Sequence, residues 1–286
     1  MIELQQTGAR VAAWRDGAAR TAGWDEPVVS AFDLGLGRGD GAFESVLVTS
    51  GTTPRLPAHL ARLGRSARLL DLAHPGDDAV RAVVAAVVEG WPADVEGACR
   101  VLLTRGLGDG TPPTLVALLA PVPAETIRQR DEGVAVVSLS LGVPADLRAR
   151  APWLLGGAKT LSYAVNMAAL RHARAAAADD VVFTSLDGQL LEGPTSTVVW
   201  ATGGRLHTPP VETGILAGTT QARLFAAAEA DGRPTAVTPG TVEDLHAADA
   251  VWLLSGIRGA APVTRLDGVD RGDAGLTRAI RELLAR

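Results

Sequence analysis

The chain is poor in the residues that build covalent or metal-held scaffolds. Its 286 residues include one cysteine, Cys99, so neither an internal disulfide nor a cysteine metal site can form. Five histidines, His59, His74, His172, His207 and His246, are scattered without ligand spacing, and no metal site is expected. No apolar run reaches the roughly 18 residues of a membrane span. The opening MIELQQTGAR lacks the basic flank and greasy segment of a signal peptide. A soluble, cytoplasmic protein without a membrane partner is therefore the expectation. A net charge of −5 argues against a nucleic-acid partner. No Gly-x-Ser-x-Gly elbow is present for serine hydrolase chemistry. With 47% hydrophobic residues the chain has ample material for a core, and its length suits one large or two ordinary domains.

The scarcest basic residue is the most informative. Of 27 Lys and Arg residues only Lys159 is a lysine. In an arginine-rich chain that is either the last lysine left on a solvated surface or a chemical necessity. A guanidinium keeps its proton to above pH ~12, whereas a lysine ammonium can be pushed toward ~7–8 and then attack a carbonyl as a free amine. The only tyrosine, Tyr163, lies four residues away, and on a helix the two share a face.

Hydrophobic patterning reads as α/β throughout. Residues 11–14 and 43–49 are predicted strands, the second ending at the turn Ser50-Gly51. Residues 55–72 carry Leu60, Leu63, Ala67 and Leu70 at helical spacing, and residues 78–88 form a second helix. Residues 100–104 and 114–120 pair around a Gly-rich loop. Pro121-Val122-Pro123 and the polar stretch after it are the expected linker, residues 123–131, separating a domain at 1–122 from a larger one at 132–286. There, residues 134–141 are a strand and 161–178 a strong helix. Strands follow at 181–184, 189–191 and 197–201, the first two joined by Asp187-Gly188. Thr219 or Thr220 is expected to cap a helix that runs to Ala230 and stops at Gly232. Residues 251–254 form a buried strand and 276–284 an amphipathic helix.

Three stretches invite chemistry. The run from Gly35 to Gly41 has neither dinucleotide-fold spacing nor a P-loop lysine, so it reads as a loop with unusual backbone angles. Glu192 lies where one strand ends and another begins, as an ordinary turn residue or as a carboxylate able to keep a ring nitrogen protonated. Gly218-Thr219-Thr220 opens a helix, as a simple cap or as an anion cradle. A lone lysine, a tyrosine, a carboxylate and an anion cradle are together the parts of a pyridoxal-phosphate site.

The segments carrying these residues resemble the class-IV aminotransferase family, the fold-type IV pyridoxal-phosphate enzymes. The resemblance runs through Gly39-Asp40-Gly41-Ala42-Phe43-Glu44, His59-Leu60-x-Arg62-Leu63, Thr104-Arg105-Gly106, Lys159-Thr160-Leu161-Ser162-Tyr163, Leu191-Glu192-Gly193 and Gly214-Ile215-Leu216-x-Gly218-Thr219-Thr220. It implies a two-domain α/β (α+β) fold like that of D-amino-acid aminotransferase, with the cofactor between the domains, and a homodimer. Lys159 matches the lysine that carries pyridoxal 5'-phosphate and moves the proton. Glu192 matches the carboxylate on the pyridinium nitrogen, Arg62 the phosphate-binding arginine, and Thr219 and Thr220 the helix-start phosphate pair. Tyr163 matches a tyrosine against the phenolic oxygen. Ser255 matches a second phosphate loop, in which Gly256 replaces a threonine of some members. Phe43 stands where D-amino-acid aminotransferases place a tyrosine against the substrate carboxylate. Arg105 and Arg258 suit two substrate carboxylates, or equally internal salt bridges. The sequence most resembles the aminodeoxychorismate lyase branch, which implies formation of 4-aminobenzoate and pyruvate for folate synthesis. The alternative is an aminotransferase acting on branched-chain or D-amino acids.

Overall fold

The computed structural model describes residues 8–23, 25–273 and 275–285. It divides into two compact units. One runs up to Pro123 and includes Ala158–Tyr163; the other comprises Ala124–Gly157 and Ala164–Arg286.

The first unit contains β1 (Arg10–Arg15), β2 (Ala18–Ala22), α1 (Leu34–Arg38), β3 (Gly41–Val48), α2 (Leu56–Leu69), α3 (Asp77–Val88), β4 (Gly97–Thr104) and β5 (Thr114–Pro121). Its five strands form an antiparallel sheet in the order β2-β1-β5-β4-β3. Strand alternation turns Ala42, Glu44, Val46 and Val48 of β3 inward. Ala42, Val46 and Val48 meet Leu60 and Leu63 of α2 and Val80, Val83 and Val87 of α3 in a single core. Each valine or leucine removed from water contributes about 1.5–3 kcal/mol. The glycine-rich run, expected to be a loop, instead forms the short helix α1. Asp33 caps it by accepting from the Gly35 N–H at 2.8 Å, and Gly39 ends it at φ 69°, a conformation glycine adopts without strain.

The second unit begins with α4 (Ala124–Glu132) and β6 (Val134–Ser140), followed by α5 (Leu147–Arg150), α6 (Ala164–Ala175), β7 (Asp180–Thr184), β8 (Thr197–Thr202) and β9 (Arg205–Thr208). Next come α7 (Thr219–Ala230), β10 (Thr235–Val237), α8 (Val242–Ala247), β11 (Ala250–Ser255), β12 (Gly259–Leu266), β13 (Val269–Asp270) and α9 (Leu276–Ala285). The mixed sheet runs β10-β9-β8-β11-β12-β6-β7, with β13 pairing β12. Helices α7 and α9 pack through Leu224, Phe225, Ile280 and Leu283 against Trp252 and Leu254 of β11. The Trp252 indole N–H donates to Thr277 Oγ1 at 2.8 Å, so its polar end stays satisfied inside that core.

Four expectations change. The proposed linker is helical: α4 buries no residue, and its side-chain pairs support it, Arg128 bridging Glu125 at 2.6 Å and Glu132 at 3.3 Å. Helix α6 begins at Ala164, because residues 159–161 pair with the free edge of β3 instead. Lys159 is therefore extended rather than helical, and its segment groups with the first unit rather than with the C-terminal half. Residues 189–191 contribute only a single bridge, Leu190 to Thr184, rather than a strand. Gly218, not a threonine, is the N-cap of α7, which places Thr219 and Thr220 in the first turn.

No described helix is long and apolar enough to cross a membrane.

Candidate active site

In the first unit the lysine segment acts as a short extra strand. Phe43 N–H donates to the Lys159 carbonyl at 3.0 Å, and Leu161 N–H donates to the Gly41 carbonyl at 2.8 Å. The Lys159 N–H donates to Ser66 Oγ on α2 at 3.0 Å. The side chain then extends over two aromatic rings, with Nζ 4.2 Å from the Phe43 centroid and 5.6 Å from that of Tyr163. Those rings meet edge to face at 5.1 Å and 84°. Lys159, Phe43 and Tyr163 thus come together, although Lys159 and Tyr163 do not share a helix face.

Arg62 sits one helical turn before Ser66. Its Nε and Nη2 donate to Glu44 Oε1 and Oε2 at 2.7 and 2.8 Å, a two-pronged pairing. His59 Nδ1 donates to Glu44 Oε2 at 2.7 Å. All three side chains are buried. Burial pushes the Glu44 carboxyl up, but hydrogen bonds from Arg62 and His59 outweigh it and bring its pKa down to about 2. The sequence alone assigns Glu44 and His59 no role. The signal was an acidic residue at an inward strand position, with His59 and Arg62 three apart on a helix.

In the second unit Glu192 lies beyond the Asp187-Gly188 turn, where its carbonyl accepts from Phe183 N–H at 2.9 Å. Its Oε2 accepts from Leu216 N–H at 3.0 Å, and Arg148 Nη1 lies 3.6 Å from Oε1. Helix α7 opens at Gly218 with no side-chain cap, so no capping side chain occupies the backbone N–H groups of its first turn, an arrangement that suits an anion. A Cβ on Gly218 would stand 2.3 Å from Thr197 Oγ1, so only glycine leaves this entry clear. Thr220 is buried in the same turn. Ser196 Oγ, also buried and without a partner, lies in the loop between Glu192 and Thr197. Ser255 Oγ accepts from Arg258 N–H at 3.3 Å.

Both arginines offered for substrate carboxylates make internal ion pairs. Arg105 donates to Asp40 at 2.7 Å and to the carbonyls of Leu70 and Asp71 at 2.7 and 2.9 Å. Arg258 is buried, donating to Asp180 at 2.7 Å and Gln129 at 3.0 Å. Among the described residues no group of three His, Cys, Asp or Glu side chains is placed to hold a metal.

Each unit carries groups that suit pyridoxal phosphate: in the first, an amine against flat aromatic rings; in the second, an uncapped helix start cleared by glycine and a carboxylate oriented by a backbone N–H. That chemistry on a two-unit α/β scaffold defines the fold-type IV pyridoxal-phosphate enzymes. The chain belongs to the Amino-transferase class IV family, whose model matches residues 41–266. Pyridoxal phosphate is its cofactor.

Relatives agree over nearly the whole chain. The bifunctional aminodeoxychorismate lyase / D-amino acid transaminase of Mycobacterium tuberculosis is 45% identical over 251 residues, covering 85% of this chain and 87% of its own. A solved structure of a hypothetical aminotransferase from Mycobacterium tuberculosis, in PLP-bound form, superposes with a TM-score of 0.92 at 43% identity, covering 97% of each chain. A fold IV-transaminase from Curtobacterium pusillum gives 0.90 at 40% identity, covering 98% of each.

Proposed function

We propose that this enzyme is a 4-amino-4-deoxychorismate lyase, forming 4-aminobenzoate and pyruvate for folate synthesis. The observation that carries this reading is Phe43 against the Lys159 amine. The ring presents no hydroxyl at the position where D-amino-acid aminotransferases are expected to hold the substrate carboxylate. The name of the 45% identical relative supports the same reading.

In this reading Lys159 Nζ would hold the cofactor, and as a free amine it would take the proton from the carbon bearing the substrate amine. Bound pyridoxal phosphate supplies the electron sink that stabilises the resulting negative charge. Arg62, the α7 start at Thr219 and Thr220, and Ser255 would hold the phosphate. Glu192, oriented by Leu216 N–H, would keep the ring-nitrogen proton in place. Tyr163 would serve the phenolic oxygen. Lys159 would then give that proton to the enolpyruvate leaving the neighbouring carbon, which becomes pyruvate, and its amine would take back its place so that 4-aminobenzoate is released. The aromatic ring left behind makes that step strongly downhill.

The second reading is a transaminase acting on D-amino or branched-chain amino acids. It is favoured by the second activity in the relative's name. We further propose a cytoplasmic homodimer. Phe32 and Leu36, 85% and 69% exposed, support a covered face on the first unit.

The deciding experiment supplies aminodeoxychorismate with no keto acid. Formation of 4-aminobenzoate and pyruvate is expected; strict dependence on 2-oxoglutarate or pyruvate as acceptor overturns the lyase reading.

A further inference from the structure

Glu44 and His59 have no part in the chemistry above, yet their geometry around the buried Arg62 is specific. Alternation along β3 forces Glu44 inward, and three-residue spacing on α2 sets His59 and Arg62 side by side over it. The carboxylate receives the Nε–Nη2 edge of the guanidinium as a fork, while His59 Nδ1 donates to the same Oε2. We propose that Glu44 is a positioning residue for Arg62. With His59 bracing it, Glu44 fixes the plane of the guanidinium, and with it the direction from which Arg62 would meet the cofactor phosphate. The inference rests on the reading of Arg62 as a phosphate ligand.

Physical chemistry favours a positioning role over simple stabilisation. A buried ion pair is weak evidence for stability, because apolar residues of similar volume commonly pack as well. A long arginine side chain samples many rotamers, and phosphate recognition by its planar fork depends on direction. Fixing one edge on a carboxylate that is itself immobilised removes that freedom before the cofactor arrives. The ionised carboxylate can only accept, so the proton of the His59 contact resides on Nδ1, which also sets the tautomer of the ring.

The test compares two ligands that differ only in the phosphate. Pyridoxal phosphate and pyridoxal are titrated into the full-length chain freed of cofactor, as wild type, Glu44→Gln, Glu44→Asp and Arg62→Ala. The readout is the ratio of the two dissociation constants. Arg62→Ala is expected to collapse the preference for the phosphorylated ligand by about a hundredfold, and Glu44→Gln by about tenfold. Pyridoxal affinity should stay near wild type in both. Glu44→Asp keeps the charge but withdraws it by one methylene, and it carries the test if Glu44→Gln does not fold. A ratio unchanged in the Glu44 variants, with Arg62→Ala still lowering it, overturns the positioning role alone. A ratio unchanged in Arg62→Ala overturns the phosphate-ligand reading beneath it.

Discussion

Ser66 Oγ accepts the backbone N–H of Lys159 at 3.0 Å, so the helix that carries Arg62 also holds the main chain of the lysine. The carbonyl of the same residue is taken by Phe43 N–H. With both backbone groups held, only the side chain of Lys159 is left to move. Ser66→Ala leaves one half-buried N–H without its acceptor, which costs about 1 kcal/mol. Urea unfolding should show that loss, and turnover should fall by about tenfold with kcat affected more than KM. An unchanged kcat would mean that the strand pairing alone holds the lysine.

Acid should weaken the first unit through Glu44. Its folded pKa of about 2 lies below the ordinary 4.5, so the ionised carboxylate stabilises the fold. That contribution is complete above about pH 5 and is lost as the pH falls through 4.5 toward 2. A displacement of this size corresponds to about 3 kcal/mol. Stability measured by urea between pH 6 and 2 should fall along this limb, and Glu44→Gln should flatten it. Equal slopes in both proteins would show that other carboxylates govern acid unfolding.

Much of this was legible in the sequence, and the losses share a cause. Lys159 stood out by rarity, and the helix of Arg62 by its apolar spacing, because both signals are local. The extended course of residues 159–161 was not legible, since it depends on the open edge of β3 more than a hundred residues earlier. Composition favoured a helix there, and tertiary pairing won. Residues 124–132 looked like a linker because nothing in them is apolar on one face; their helix stands on Arg128 and its acidic neighbours. Glu44 gives no such signal, because a carboxylate on a strand reads as solvent-facing until its partners from α2 are seen. Gly218 does not stand out as a cap, because the threonine hydroxyls beside it are the commoner choice.

Cys99 should be inert in the native protein. It is fully buried on β4, and burial pushes its thiol pKa up to about 12. A chromogenic disulfide reagent at pH 8 should titrate no thiol until denaturant is added, and then one per chain. Rapid reaction in the native state would place the thiol at the surface and contradict the packing of the first core.

Arg258 separates two roles that its sequence context left equal. A substrate-carboxylate ligand, when removed, raises KM and leaves stability alone. An internal partner, when removed, strands a buried charge. Here the guanidinium donates to Asp180 at 2.7 Å, with Gln129 on its other nitrogen, and both members of the ion pair are shielded from water. Asp180 also opens β7, the strand that pairs with β6, so an uncompensated carboxylate there sits in the sheet itself. Arg258→Ala should therefore cost about 3–5 kcal/mol of unfolding free energy. Arg258→Ala combined with Asp180→Asn should recover part of that loss, because the double variant leaves no unpaired charge. If Arg258→Ala instead keeps full stability and raises KM selectively for a substrate with two carboxylates, the guanidinium is engaged in recognition and the ion pair is incidental.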